Sequence, residues 1–519
     1  MRVLLVTGQL AKDMVEQQAK ESAVETVTLP LKIAVAAFLT PNFISNELKK
    51  LKLTDFNMIL VPGFVRGDVS EITVSTGIPT FKGPRYAADL PTVLDSLCDV
   101  QLSTTIPACD LIREKLVAKA FQEIQKTESE RDKLLLKPGN MLIRNLAVGK
   151  DFPMRVLAEI VDAAVMDKET IQNIAKQFVE VGADIIDIGM IAGESNPEKA
   201  GQMIHWVKEV VDVPVSIDTL DSAEIKAAIK AGAELVLSGD AGNIDEIASY
   251  SKNVAVVIIP TNQQQGYFPK KATDRVKFIE EIIIKAKKLG ITKCLADLIV
   301  EPLDILESFI AFKDFASRNP HIPLFVGISN VTELFDADSI GLNALLTRLS
   351  SEVGGSMLLA TEKSPKAKGT VHEEVTAAKM MFLAKKRLSA PKDLGLDLLV
   401  LKDKKNYEEQ YNKSLEKTSK VIAVNKTVEP TLLDSAGQFK IYVDRKTETL
   451  VSVHYLPNEP TKPVHVIKGK TADDICAKIT ELALLTQLDH AAYLGRELAK
   501  AEIALKTGKA YVQDADLFK

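Results

Sequence analysis

A chain of 519 residues of which 46% are hydrophobic has apolar mass for several cores, which excludes a disordered protein and predicts two to four domains. Sixty-five Lys and Arg stand against seventy Asp and Glu, a net charge of −5, and that balance excludes a domain-long basic surface for nucleic acid. The four cysteines, Cys98, Cys109, Cys294 and Cys476, form no CxxC pair and the six histidines form no HxxxH or HExxH, so reduced thiols and no metal site are predicted.

Residues 1–125 alternate short apolar runs, at 3–6 and 58–61, with helical patterns, which predicts a small N-terminal parallel α/β domain of flavodoxin or Rossmann-like kind. Its Thr7-Gly8-Gln9 turn and the pair Gly63 and Gly67 read as tight strand-to-helix turns, with Gly8 a weak phosphate-loop signal. Lys82-Gly83-Pro84-Arg85 reads as surface. The charged stretch 126–150, with Lys137-Pro138-Gly139-Asn140 inside it, reads as a helix end and a linker. No run of about eighteen apolar residues occurs, so a cytoplasmic protein without membrane contact is expected.

Between 151 and 390, eight apolar runs alternate with amphipathic stretches. The runs lie at 155–159, 184–188, 213–217, 235–237, 254–259, 293–296, 324–327 and 357–360. The helices between them are predicted at 168–181, 197–211, 223–231, 245–251, 275–289, 303–316, 339–352 and 373–387. Eight such units over about 240 residues suit a closed TIM-type (β/α)8 barrel, with an open doubly wound sheet as the alternative. Residues 391–519 follow a different pattern, in which two strands at 439–443 and 450–455 form a hairpin and a long helix is predicted from 471 to 506, giving a C-terminal α+β domain.

Barrel enzymes place reactive groups at the C-terminal ends of their strands. Here those ends carry Glu159 and Asp162, then Asp187, Asp218, Ser238 with Asp240, Asp297, and Ser329 with Asn330. Several acids in one mouth imply a ligand with many donors, because unpaired buried carboxylates are costly. The amidine-like edge of a pterin ring is such a ligand, and Asp218 and Asp297 are the candidates to hold it. An Asp at these positions could instead cap the next helix, and Asn330 could be ordinary turn chemistry.

The stretch Gly182-Ala183-Asp184-Ile185-Ile186-Asp187-Ile188-Gly189 followed by Gly193-Glu194-Ser195 resembles the second-strand signature of dihydropteroate synthases. Pro214-Val215-Ser216-Ile217-Asp218-Thr219 resembles their third strand, and Ala296-Asp297 and Pro323-Leu324-Phe325-Val326-Gly327-Ile328-Ser329 fall where their sixth and seventh strands do. The resemblance implies that Asp218 and Asp297 bind pterin, with Asp187 organising the mouth near a second substrate. Two positions depart from that family. Ser329-Asn330-Val331 stands where the synthases carry basic residues, and Leu237-Ser238 stands where they carry Asn, leaving Ser238 as the pterin-side residue. The last strand runs into Thr361-Glu362-Lys363 rather than Arg-x-His.

Ser329-Asn330-Val331 is similar to the sister family that moves a methyl group from a tetrahydropterin to a corrinoid protein, where the Asn contacts the pterin near its reactive nitrogen. Glu159-Ile160-Val161-Asp162 falls where those methyltransferases carry Glu-x-x-Asn. The whole chain is most similar to archaeal dihydropteroate synthase-related proteins. The tail from His490 to Glu502, with Tyr511-Val512-Gln513-Asp514, resembles tails of archaeal proteins that work with tetrahydromethanopterin.

The resemblance thus implies a transferase on a reduced pterin such as tetrahydromethanopterin, with Asp187, Asn330 and Asp162 in the chemistry and a homodimer as the expected assembly. Methyl transfer to a corrinoid partner protein, and pterin binding without catalysis, are the alternatives. Lys363, Lys366 and Lys368 could hold a phosphate, or could simply form a solvated basic loop.

Overall fold

The computed structural model describes residues 1–405, 411, 413–417, 420–424 and 434–518. Four parallel strands open the chain: β1 (Arg2–Thr7), β2 (Glu25–Pro30), β3 (Met58–Val61) and β4 (Thr80–Lys82), in the sheet order β2-β1-β3-β4. Their apolar residues split by alternation, Leu4, Val6, Ile59 and Val61 to one face and Val3, Leu5 and Leu60 to the other, so helices cover both faces of the sheet. This is the parallel α/β domain expected. Lys82-Gly83-Pro84 is not surface: Lys82 is buried, because it follows two strand residues inside the sheet and a loop closes over it through hydrogen bonds at Ser103 O and Gly83 O.

The stretch expected to be a linker folds. The helix Ala108–Ser129 leads to an antiparallel hairpin of β5 (Asn140–Ile143) and β6 (Leu146–Gly149). Ile143 and Val148 pack among the inward residues of the barrel, Leu157, Ile185, Leu235, Val257, Leu295, Phe325 and Met357, so the hairpin closes one end of the barrel interior. The helix Ala108–Ser129 buries Ala120 against Leu383 and Ala384 of the barrel's last helix, and Arg387 pairs with Glu123. Met1–Leu398 is accordingly one compact unit and Leu399–Lys519 a second.

Eight parallel strands form the closed barrel: β7 (Arg155–Ile160), β8 (Ile185–Gly189), β9 (Val215–Asp218), β10 (Leu235–Gly239), β11 (Ala255–Ile258), β12 (Cys294–Ala296), β13 (Leu324–Val326) and β14 (Gly355–Thr361), with β14 pairing back to β7. All eight predicted runs are strands. Their side chains obey a period of two: Val156, Ala158, Ile186, Ile188, Ile217, Val236, Ile258 and Leu358 face the helices, while Leu157, Ile185, Leu237 and Leu295 fill the interior. Four of the barrel's helices are also started by local chemistry. Asp167, Asn196, Asp221 and Asp304 each accept a backbone N–H two or three residues on, which satisfies groups that a helix start leaves open.

The second unit is a three-stranded antiparallel sheet, β15 (Gln438–Asp444), β16 (Thr449–Tyr455) and β17 (Pro463–Gly469), backed by two helices. The hairpin is as expected, but the single long helix is not. It breaks into Ala472–Glu481 and Leu488–Thr507 because the carboxylate of Asp434 accepts the N–H groups of Thr486 and Gln487 and the Thr486 hydroxyl, while Ala483 takes a left-handed conformation. The apolar spacing of Ile475, Ile479, Leu482 and Leu485 runs across the break and concealed it. Strand β17 escaped notice because only Ile467 along it is buried.

Candidate active site at the barrel mouth

The period of two that fills the interior also aims the acids. Leu157 points inward, so Glu159 does too. Ile185 brings Asp187 with it, and Leu295 brings Asp297, just past the end of β12. Register then sets who meets whom. Glu159 lies opposite Asp187, Asp187 opposite Ser216, and Gly189 opposite Asp218. Glu159, Asp187 and Asp218 each bring a carboxylate oxygen within 4.8 Å of the others.

Asp187 is fully buried; Ser216 Oγ donates to its Oδ1 at 2.5 Å, and its Oδ2 meets no donor among the described residues. Asp297 is 7% exposed and accepts the Ile299 N–H at 2.8 Å. Burial pushes the Asp218 carboxyl up to about 7, and burial raises Asp297 to about 7 against the pull of the Ile299 N–H. Glu159 is pushed up to about 8, first by burial and then by the charges of Asp218 and Asp162. Asp187 is raised as well, by burial and then by Asp218 and Glu159. Near neutral pH the mouth therefore holds a mixture of protonated and ionised acids, which can both donate to and accept from a ring with amide and amine edges.

Asn330 is exposed on the short helix Ser329–Thr332 after β13. A Cβ built on Gly327 would lie 3.1 Å from Asn330 Nδ2 and 3.9 Å from Asp297 Oδ2, so both side chains border one small space that a glycine keeps open. Ser329 is not a ligand candidate: its hydroxyl accepts the Thr361 N–H and donates to Glu374, tying the seventh strand end to the eighth. Ser238 follows the cis peptide Leu237–Ser238, and its carbonyl accepts from Asn243 Nδ2 at 3.1 Å. Asp240 proves structural, accepting the N–H groups of Gly242, Asn243 and Gln263 and the Thr261 hydroxyl.

The remaining expectations separate. Asp162 sits at the rim in a left-handed conformation, its carboxylate 2.7 Å from Lys363 Nζ. Lys366 turns to Asp336 and to the Phe335 carbonyl, so two of the three lysines proposed for phosphate are engaged by acids of the protein itself. Lys368 is exposed. Glu159 was visible in the sequence as a strand end, yet without a role; the signal was its inward phase, two residues after Leu157. Arg275, unremarked in the sequence, is fully buried and donates to the carbonyls of Pro269 and Ile299, to Ser308 and to Glu301, pinning the loop that follows Asp297.

Residues 160–349 match the pterin binding enzyme family, residues 1–85 a family of unknown function, and residues 433–514 the family described as PterinBD-DUF4346. An uncharacterized protein of Methanocaldococcus jannaschii is 42% identical over 536 residues, covering 100% of this chain and 99% of that protein. A dihydropteroate synthase of Clostridium beijerinckii is 28% identical over 129 residues, 22% of this chain and 47% of its own, and a Ycf91-like protein of Nostoc is 36% identical over 106 residues, 16% of this chain and 84% of its own. Among solved structures, Yersinia pestis dihydropteroate synthase with a pterine-sulfa conjugate is 18% identical over 48% of this chain and 99% of that one, at a TM-score of 0.39. The barrel segment that carries the acid-lined mouth is the one that matches the pterin binding enzyme family. The chain belongs to the family of dihydropteroate synthase-related pterin-binding proteins, and it is related to the Methanocaldococcus protein along its whole length. No helix among the described residues is long and apolar enough to cross a membrane.

Proposed function

We propose that the protein is a transferase acting on a reduced pterin held between Asp218 and Asp297. The observation that carries this reading is the pair itself: two carboxyls at the strand ends of one mouth, close enough for Asp218 to act on Asp297, each raised to about 7 by burial. A ring whose amidine-like edge offers paired N–H groups satisfies an ionised carboxylate with two charge-assisted hydrogen bonds, which repays the desolvation that raised these groups. Asn330, beside the space kept open by Gly327, is positioned to hydrogen-bond the reactive edge of the ring. Ser238 lines the pterin side. Asp187 orders the inner wall through Ser216, and Asp162 with Lys363 forms the rim where a second substrate would pass.

Methyl transfer from a methylated tetrahydropterin such as tetrahydromethanopterin is the favoured chemistry. A departing pterin nitrogen needs a proton or a hydrogen bond, and a mouth with an amide and acids raised to the neutral range can supply either. Condensation with loss of pyrophosphate calls for free cations at the leaving group. Lys363 and Lys366 are paired with Asp162 and Asp336, which counts against it. The acceptor would be a corrinoid carried on a partner protein, and a homodimer is the expected assembly.

Calorimetric titration with reduced pterins, plain, methylated and pyrophosphorylated, beside Asp218→Ala and Asp297→Ala, tests the reading. Binding that vanishes in both variants supports it. Tight binding with no turnover of any methyl acceptor would favour a binding protein, and no binding of any pterin would sink the proposal.

A further inference from the structure

The first domain holds features that the barrel does not use. Its chain leaves β1 for the helix Lys12–Ala19, which packs on the sheet face of Val3 and Leu5, and leaves β3 for the helix Ser70–Thr76, which packs on the face of Leu4 and Val6. The loops beyond the carboxyl ends of the strands therefore divide into two pairs. Gln9 and Leu10 donate to the carbonyls of Ile33 and Ala34, Gly63 donates to that of Pro84, and among the described residues no backbone hydrogen bond joins one pair to the other. Open parallel sheets take their ligands where the loops diverge in this way.

Gly8 is not the ligand loop. A Cβ there would stand 2.6 Å from Ala36 N, so the backbone that this glycine admits is the protein's own. The loops after β3 and β4 offer more. Lys82 ends β4 and is 6% exposed, yet its ammonium has no hydrogen bond and no ion pair among the described residues. Burial and then the nearby charge of Arg85 hold it below the usual lysine range, and Asp68, which pulls the other way without pairing with it, offsets only part of that. Arg85 is held by Asp110 through one nitrogen at 2.5 Å, which leaves the rest of its fork open. A buried ammonium without a partner is costly, a guanidinium near it adds to the cost, and an anion between the two offsets both.

Beside these cations lies an apolar surface. Phe64 and Tyr86 follow Gly63 and Arg85, are 40% and 44% exposed, and meet edge to face with centroids 5.4 Å apart. A Cβ on Gly63 would stand 2.8 Å from Arg85 N, so the rings and the cations belong to one place. Across the divide, in the loop after β2, Phe38 is 72% exposed. Exposed aromatic rings next to an unpaired ammonium suit a flat ring that carries an anionic group.

We propose that the carboxyl ends of β3 and β4 form a second ligand site, for a mononucleotide, with its phosphate on Lys82 and Arg85 and its base against the Phe64 and Tyr86 rings. The assignment stands on the first domain alone and does not rest on the pterin reading.

Equilibrium dialysis of the full chain against adenosine monophosphate and flavin mononucleotide, beside adenosine, riboflavin and inorganic phosphate, tests it. Saturable binding of at least one of the two nucleotides is expected, with its phosphate-free counterpart weaker by roughly tenfold or more. Lys82→Met keeps the apolar stem and removes the charge, so it should lose that preference while unfolding at no lower temperature than the parent. Phe64→Ala should weaken nucleotide and nucleoside alike and leave inorganic phosphate unchanged. Asp218→Ala should abolish pterin binding and leave the nucleotide bound, so the two sites fail separately. The proposal is overturned by the absence of saturable binding of either nucleotide at millimolar concentration, by nucleoside bound as tightly as nucleotide, or by binding that Lys82→Met and Phe64→Ala both leave unchanged.

Discussion

Glu159 and Gly189 share one volume: an ideal Cβ at position 189 would stand 2.3 Å from Glu159 Oε1. The two residues sit on neighbouring strands, and the glycine leaves the room in which the carboxylate lies against the barrel wall. Gly189→Ala must therefore push Glu159 aside, at a cost of about 1–3 kcal/mol typical of overfilled interiors. In a Glu159→Ala background the same change should cost less, the Ile160 carbonyl at 3.2 Å from that Cβ then remaining as the close neighbour. Chemical denaturation of the four proteins of this cycle measures the coupling, and additive effects would show that the two positions do not compete.

Asp297 provides a pH prediction. Its folded carboxyl, raised to about 7 from an ordinary value of 3.8, keeps a proton that the unfolded chain loses several pH units earlier. Its contribution to stability is fully present below pH about 4 and is lost as pH rises through 7. Asp297→Asn removes this titration, so the variant should gain on the parent by up to about 4 kcal/mol between pH about 4 and 8, each tenfold change in acidity being worth about 1.36 kcal/mol. Unfolding midpoints at several pH values give the slope directly; parallel curves for parent and variant would refute the assignment.

Pterin binding should release protons near pH 6. Asp218 and Asp297 enter largely protonated, and the ring's N–H groups favour their ionised forms. Calorimetry in two buffers of different ionisation enthalpy reads the number released. Proton uptake would mean that the acids meet the ring as donors.

Arg275 is the buried cation under the Asp297 loop, joined to Glu301 at 2.8 Å and to the carbonyls of Pro269 and Ile299. Arg275→Met leaves Glu301 with its more exposed partner Lys270 only. The loss expected for breaking a buried pair is about 3–5 kcal/mol, and pterin affinity should fall with it as the loop loosens. A variant as stable as the parent by urea denaturation would contradict this account.

The second unit should fold when produced alone as residues 434–519. It has its own core around Phe439, Ile441, Leu450, Ile475 and Leu498. Asp434 closes it: burial would raise this carboxyl, but hydrogen bonds from Thr486, Ala436 and His490 hold it well below the usual carboxylate range. Asp434→Ala strands three backbone N–H groups, those of Ala436, Thr486 and Gln487, at about 1 kcal/mol each. For a domain of this size that is a fall of more than about 10 °C in the melting temperature, visible by circular dichroism.

Periodicity in the chain determined much of this protein. Eight apolar runs separated by amphipathic stretches fixed the barrel strands, and the polar residue ending each run marked Asp187, Asp218 and Asp297 as mouth residues, because alternation is a local property that survives in the sequence. Only the tertiary structure decided the rest. The hairpin at 140–149 reads as a linker because its two apolar runs are short and follow a charged stretch ending in Pro138-Gly139, and they gain a purpose only when the closed barrel offers an end to fill. Lys82 reads as surface because burial of a lysine depends on the loop that crosses it. Glu159, Asp187 and Asp218 become one cluster through strand register, a relation between segments far apart in the chain that is set by barrel closure. Whether an acid is ionised is decided the same way: composition counts carboxylates, but the free energy of charging each depends on the water and neighbours that the fold leaves it.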